Sequence, residues 1–84
     1  MGHSRLCEYY GQLWEGDKAY QVGCRNVKEA QGWVNTPKPN GTQYDKVTLW
    51  PQTARAKQFC AGRGDYIVVT KDGVNFHTVE GECR

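Results

Sequence analysis

The sequence lacks a long apolar run and a large excess of either charge. The first absence excludes a membrane-spanning helix, and the second leaves the net charge without an argument for a nucleic-acid partner, which is therefore not the expected one. Its longest strongly apolar run is Ile67-Val68-Val69, far short of the roughly 20 residues that a membrane-spanning helix needs. Eleven Lys and Arg stand against nine Asp and Glu, a net charge of +2, whereas nucleic-acid-binding domains usually carry a clear basic stripe. A chain of 84 residues allows one domain with one small core.

Motifs for metal binding and for nucleophilic catalysis are also missing. Structural zinc sites need pairs of cysteines a few positions apart, but the closest two, Cys7 and Cys24, are 17 positions apart. Ser4 stands at the very start of the chain, and the cysteines are better explained as disulfides than as nucleophiles. We therefore expect no metal, no cofactor and no enzymatic activity.

Four cysteines are many for so short a chain: Cys7, Cys24, Cys60 and Cys83. The burial free energy of a small core barely exceeds the cost of ordering the chain, so covalent cross-links are expected. Small cysteine-rich domains are typical of oxidising compartments. We expect a secreted protein that has lost its signal peptide, with residues 1–4 as an artificial leader and a single domain over residues 5–84.

Short β signals recur along the chain, and helical periodicity does not persist for three turns. Six strands are predicted, over residues 5–14, 18–24, 32–35, 43–50, 65–70 and 74–79. One helical turn is predicted over residues 26–31, ended by Gly32, and residues 52–64 are predicted to be irregular. Gly11 indicates a bulge or bend in the first strand. Lys71-Asp72-Gly73 is the strongest turn signal, and the whole pattern favours a small β-sandwich or barrel.

The cysteines can pair in three ways, and the residues alone do not decide between them. Local hairpins favour Cys7–Cys24 with Cys60–Cys83. The crossed pairing, Cys7–Cys60 with Cys24–Cys83, closes longer loops and would stabilise the fold by about 4 kcal/mol per bridge, against about 3 kcal/mol for the local bridges. This difference is too small to select one pairing.

The order of the cysteines along the strands carries a resemblance to a known family. Residues 66–73 and the run Glu80-Gly81-Glu82-Cys83 look like a final hairpin leading to a terminal cysteine. The segment Cys7-Glu8-Tyr9-Tyr10-Gly11-Gln12-Leu13 looks like the first strand of the same fold. Together they resemble the MAX effectors, the fungal family of Magnaporthe avirulence and ToxB-like proteins. The likeness extends from Cys7 to Cys83 in cysteine and strand order, with little residue identity.

The resemblance implies an all-β fold, a six-stranded sandwich of two three-stranded antiparallel sheets. It also implies the crossed disulfides, Cys7–Cys60 and Cys24–Cys83. In function it implies a monomeric secreted effector, translocated into host plant cells, that binds a host protein and is recognised by an immune receptor.

Some members of the family bind heavy-metal-associated (HMA) domains through the second and third strands, at sheet edges. Strands at sheet edges can pair with a partner strand. The residues carried over as edge candidates are Lys18, Tyr20, Val22, Trp33 and Val34.

Two further hypotheses come from other residues. Trp50-Pro51 and Phe76-His77-Thr78 resemble fungal guanyl-specific ribonucleases. Those enzymes carry a carboxylate base where Leu49 stands here, and they use a second catalytic histidine. The alternative is therefore an inactive ribonuclease-like protein that binds RNA, and a third hypothesis is an extracellular host-selective toxin. Asn40-Gly41-Thr42 lies in a predicted loop and is a candidate for N-glycosylation at Asn40.

Overall fold

The computed structural model describes residues 7–79 as one five-stranded antiparallel sheet with two short helices. The strands are β1 (Tyr9–Glu15), β2 (Lys18–Cys24), β3 (Lys46–Pro51), β4 (Tyr66–Thr70) and β5 (Gly73–His77). Helix α1 (Val27–Asn35) follows β2, and helix α2 (Ala54–Cys60) follows β3. The order across the sheet is β2-β1-β3-β4-β5, so β2 and β5 are its edges. None of the described helices has the length and apolarity to span a membrane.

The core lies on the face of the sheet that both helices cover. Alternate strand residues point to this face, and Gly11 in β1 pairs with Val22 on one side and Leu49 on the other. The fully buried strand side chains are Cys24, Val47, Leu49, Ile67 and Val69. The helices contribute Ala30, Val34, Ala56 and Cys60. Because both helices lie on this face, no helix of residues 7–79 covers the other face of the sheet.

Helix α1 replaces the strand predicted over residues 32–35, and this prediction was wrong. Asn26 caps the helix, because its side chain accepts a hydrogen bond of 2.9 Å from the Glu29 amide. Ala30 and Val34 are four residues apart, so both face the sheet and are buried. Gly32 does not end the helix, since it lies on its exposed side and costs only about 1 kcal/mol relative to alanine.

Helix α2 lies within residues 52–64, which were predicted to be irregular. The Thr53 hydroxyl accepts a hydrogen bond of 3.1 Å from the Ala56 amide and so caps the helix. Ala56 and Cys60, again four residues apart, face the core. A seven-residue helix with one buried residue per turn gives little periodic signal, and packing on the sheet stabilises it.

The mainly β, antiparallel character of the fold is confirmed, but the arrangement of layers differs from the expectation. Within residues 7–79 there are five strands in one sheet, where six strands in two sheets were expected. The two helices take the position of the second layer, because they supply the apolar side chains that cover the core face. The predicted strands over residues 18–24, 65–70 and 74–79 correspond to β2, β4 and β5.

Candidate functional site

The uncovered side of the sheet, which we call the open face, is organised in rows across the strands. The register pairs Tyr10 with Trp50 and Tyr66 with His77. The Trp50 and Tyr66 rings stack at 4.9 Å between centroids, and Tyr66 and His77 stack at 5.4 Å. These four residues, one from each of β1, β3, β4 and β5, form what we call the aromatic row. Tyr10 is 48% exposed and Trp50 is 37% exposed, so the row is accessible to a ligand.

Next to the aromatic row lies a row of mostly uncharged polar side chains. Gln12 pairs with Gln21 on one side and with Thr48 on the other, and Asn75 pairs with Val68. Two residues further along the strands, Trp14 pairs with Lys46, whose ammonium lies 5.4 Å from the Trp14 ring centroid. No strand residue on the described open face carries a carboxylate.

A groove beside the aromatic row holds two cations. Its lining includes Trp50, Lys57 and Arg63, together with one carboxylate, that of Asp65. The Asp65 carboxylate accepts hydrogen bonds from the Thr78 hydroxyl and the Val79 amide. The Arg63 guanidinium donates a hydrogen bond of 3.0 Å to the Phe59 carbonyl and packs over the Phe59 ring. The one ion pair of the described residues joins Lys38 to Glu15, so neither groove cation forms an ion pair with a carboxylate of residues 7–79. We call this feature the basic groove.

The β2 edge is the second candidate surface. Its hairpin with β1 turns through Gly16 and Asp17, with a positive φ of 66° at Gly16, as in a type II′ turn. In such a two-residue turn the flanking pair, Glu15 and Lys18, is hydrogen-bonded. Hydrogen-bonded pairs alternate along an antiparallel ladder. The backbone N–H and C=O groups that point away from β1 are therefore those of Ala19, Gln21 and Gly23.

Three of the five edge candidates lie on this edge. Lys18, Tyr20 and Val22 belong to β2, and Tyr20 is 44% exposed. The other two do not, because they belong to α1. Val34 is fully buried against the sheet, and Trp33 is half-buried against the core. Placing Trp33 and Val34 at a sheet edge was therefore a wrong prediction, with the same cause as the wrong strand at residues 32–35.

No family model matches the chain, and neither a curated protein nor a solved structure matches it. A function for either surface is therefore argued from the geometry of that surface alone. The described residues contain no group of three or more His, Cys, Asp or Glu side chains that could hold a metal ion.

The structure does not form the expected disulfide between Cys7 and Cys60, and both thiols are free. A Cβ on Gly23 would meet the Cys7 sulfur at 3.0 Å and the Tyr10 ring at 2.8 Å, so Cys7 lies on the open face. Cys60 is buried in the core on the other side of the sheet. Cys24 is also a free thiol, and its expected partner Cys83 lies outside the described residues.

Thiol labelling tests this arrangement. Burial, with a contribution from the Glu29 carboxylate, raises the pKa of the Cys24 thiol to about 12, so about one molecule in ten thousand is a thiolate at pH 8. We expect iodoacetamide to leave Cys24 unmodified in the native protein and to alkylate it in guanidinium without reductant. Peptide mass spectrometry reads the result, with a reduced and denatured sample as control. Alkylation of Cys24 only after reduction would show a disulfide and contradict the free thiol.

The loop between α1 and β3 holds the glycosylation candidate. Asn40 is exposed, and its side-chain oxygen accepts hydrogen bonds from the Thr42 amide and hydroxyl at 3.1 and 2.8 Å. The Glu15 carboxylate binds the Lys38 ammonium at 2.9 Å, which holds the loop against the β1–β2 hairpin. The hydrogen bond with Lys38 keeps the pKa of Glu15 below its usual value. Asn40 thus lies where a glycan would not disturb the sheet.

The residues of the ribonuclease hypothesis are only partly brought together. Trp50 and His77 share the aromatic row. Leu49, at the position of the expected base, is fully buried on the core face. No described carboxylate forms an ion pair with His77. A general acid–base pair is therefore not assembled in residues 7–79.

The aromatic row was not predicted from the sequence, although part of its signal was present. The strict alternation of residues 43–50 already put Trp50 with Lys46 and Thr48 on one face. The sheet face of Tyr10 and of Tyr66 follows only from the pairing register, because neither segment alternates clearly. Tyr10 follows another tyrosine, and Tyr66 precedes three successive apolar residues.

Proposed function

We propose that this chain is a non-enzymatic binding module that takes an extended segment of a protein partner as an additional strand beside β2. In its expected setting it is a secreted fungal effector, related to the MAX effectors, that enters plant cells. Its partner is a host plant protein such as an HMA domain, and an immune receptor recognises it. Support for the relation comes from the cysteine order and from the position of β2. The proposal does not depend on the two-sheet sandwich or on the crossed disulfides.

The observation that carries the proposal is the unpaired outer edge of β2 within the described structure. Lys18, Ala19, Tyr20 and Gln21 are consecutive exposed residues, so no described segment covers this strand. The outward N–H and C=O groups of Ala19, Gln21 and Gly23 can pair with an added strand, and the side chains beside them set its specificity.

The other edge, β5, is less suited to the same role. It has five residues against seven in β2. Its Val74 and Phe76 side chains pack against the core, and the Arg63 guanidinium lies 5.5 Å from the Phe76 ring centroid. An added strand would have to displace Arg63 there, whereas no described residue covers the outer edge of β2.

A proline at Gln21 tests the proposal. Proline removes the central outward N–H of β2 and places its ring where the partner strand would lie, while the bonds to β1 stay intact. We expect Gln21→Pro to weaken partner binding roughly tenfold or more. The matched control is Gln21→Ala, which removes the same side chain and keeps the N–H. Quantitative mass spectrometry compares the plant proteins retained by the wild type and by both variants.

The proposal requires at least one plant protein that the wild type and Gln21→Ala retain equally and that Gln21→Pro loses. If every retained protein binds all three forms alike, strand addition at β2 is wrong. If Gln21→Pro instead abolishes a concentration-dependent dimer seen by sedimentation, the partner strand is β2 of a second copy, and the host-protein proposal is overturned. Circular dichroism confirms that both variants fold.

The ribonuclease-like alternative has one observation in its favour, the placement of Trp50 and His77 in one row. Cleavage is not proposed, because Leu49 is buried where those enzymes have their base. We expect no hydrolysis of RNA by the wild type. Cleavage that His77→Ala abolishes would make the chain an enzyme and contradict the proposed function.

A further inference from the structure

We propose that the aromatic row is a binding site for single-stranded RNA, formed by Tyr10, Trp50 and Tyr66 with the adjacent basic groove. This site lies on the face of the sheet and does not use the β2 edge. The proposal thus goes beyond the strand-addition function and is independent of it. Three features of the open face carry it: the way the rings are stacked, the neighbouring charges and the adjacent polar row.

The stacking leaves one ring face open to a base. Trp50 leans toward Tyr66, with 4.9 Å between their ring centroids. Tyr10 leans the opposite way, over Gly23 of β2, where its Cε1 atom lies 2.8 Å from the position of an added Cβ. No ring contact joins Tyr10 to Trp50 in the described structure, although the two residues are paired in the register. The face of the exposed Trp50 ring that is turned away from Tyr66 therefore makes no ring contact with Tyr10, and we call the space beside it the slot.

A nucleobase suits this slot better than a sugar ring. Rings separated by 4.9 and 5.4 Å already cover one another in part, so they do not offer separate flat faces for successive pyranose units. A planar base can instead enter the slot and extend the existing stack. Stacking of this kind contributes about 1–3 kcal/mol per base and is tolerant of sequence.

The charges around the row fit a polyanion. The strands of the described open face carry Lys46 and no carboxylate. Lys57 and Arg63 line the basic groove beside Trp50 together with Asp65, so two cations and one carboxylate leave the groove with a net positive charge. Neither cation forms an ion pair with a carboxylate of residues 7–79. The Arg63 guanidinium packs over the Phe59 ring, so Lys57 is the cation of the groove that is available to a phosphate. Cations next to stacked aromatic side chains are the usual combination in proteins that bind single strands, where the cations contact the phosphates.

The polar row accounts for the choice of RNA over DNA. Gln12 and Thr48 lie two residues along β1 and β3 from Tyr10 and Trp50, about 7 Å away at the rise of a strand. A ribose attached to a base in the slot would reach these groups. An amide and a hydroxyl can both donate and accept hydrogen bonds, as the 2′-hydroxyl group requires.

Fluorescence anisotropy with labelled 12-nucleotide oligo(U) and oligo(A) tests the proposal. We expect binding of both RNAs, weaker binding of the matching DNA, and a roughly 5- to 100-fold loss of affinity in Tyr10→Ser. The matched control is Tyr20→Ser. Tyr20 is 44% exposed against 48% for Tyr10, but its side chain lies on the other face of the sheet. We expect the Tyr20→Ser protein to bind RNA with an affinity within about twofold of the wild type, because this side chain would not stack on a bound base.

Charge reversal in the groove gives a second readout. Lys57→Glu is expected to weaken RNA binding and to reduce the slope of log Kd against log salt concentration by about 0.7, or more if the new carboxylate repels a second phosphate. Lys57 is exposed on α2, so folding is not at risk, and thermal melts of each variant confirm this.

Several outcomes overturn the proposal. Among them are no binding of either RNA, and equal affinities for the wild type and Tyr10→Ser. Binding of a 12-base-pair RNA duplex as tightly as the single strand would also overturn it, because paired bases cannot enter the slot. Retention on chitin that Tyr10→Ser abolishes, without RNA binding, would assign the row to a glycan instead.

Discussion

Gly11→Ala is expected to destabilise the fold by more than about 4 kcal/mol, a loss seen only when a substitution meets a specific structural obstacle. Gly11 lies in β1, between β2 and β3, and pairs with Val22 and Leu49. A Cβ at this position would overlap the backbone carbonyl oxygen of Thr48. Backbone atoms of a neighbouring strand cannot rotate away as a side chain can, so the strands would have to separate.

Chemical denaturation of both proteins measures the effect, and Gly32→Ala is the control. Gly32 lies on the exposed side of α1, and its Cβ would meet nothing within 4 Å. Alanine there should stabilise the protein by about 0.5–1 kcal/mol through its helix propensity. If Gly11→Ala loses less than about 1 kcal/mol, β1 and β3 are not paired in the register of this structure.

Val34→Asp is expected to have the second largest effect, again about 4 kcal/mol or more. Val34 belongs to α1, and its side chain is fully buried between the helix and the sheet, where it packs with the core. An aspartate there would lose the apolar contacts and leave a carboxylate without a partner in the core. Because small domains have a total stability of about 5–15 kcal/mol, this loss removes a large part of it, and the variant should unfold at a much lower urea concentration than the wild type.

The control for Val34→Asp is Asn35→Asp, the next residue, which is exposed at the end of α1. The new charge meets the negative end of the helix dipole there and should cost less than about 1 kcal/mol. Urea denaturation compares the two variants. If Val34→Asp lowers the free energy of unfolding no more than Asn35→Asp does, residues 32–35 lie at an exposed edge, as the sequence predicted. Such a result would contradict the assignment of these residues to helix α1.

The strands could be predicted because their signals are local. Residues 65–70 and the turn at Lys71-Asp72-Gly73 together specify a hairpin, and β4 and β5 form it. The helices could not be predicted in the same way. Each places only two buried residues, four apart, on the sheet, and so short a pattern also fits strands and loops. Tertiary packing, which no local window contains, decides between these possibilities.

The prediction of a bulge at Gly11 fails for a related reason. The register continues through Gly11 on both sides without an extra residue. Glycine is required there because the Thr48 carbonyl group of the neighbouring strand approaches closely. The sequence shows that residue 11 is small, but it does not show which neighbouring atoms require this. The crossed disulfide fails because strand order does not reveal that Cys7 and Cys60 lie on opposite sides of the sheet.

The edge of β2 was predicted more successfully than the open face. Its candidate residues lie on one strand, so the position of that strand in the sheet places Lys18, Tyr20 and Val22 together. The aromatic row instead draws one residue from each of four strands. Its members meet only when strand order and register are both known.

Residue-resolved amide exchange by NMR tests the central claim, that β2 is a free edge that takes a partner strand. In the free protein we expect fast exchange at Ala19, Gln21 and Gly23 and slow exchange at Tyr20 and Val22, whose amides bond to β1. With the plant protein that Gln21→Ala retains and Gln21→Pro loses, all five amides should exchange slowly. Slow exchange at Ala19, Gln21 and Gly23 in the free protein, or no change on adding that partner, would contradict the claim.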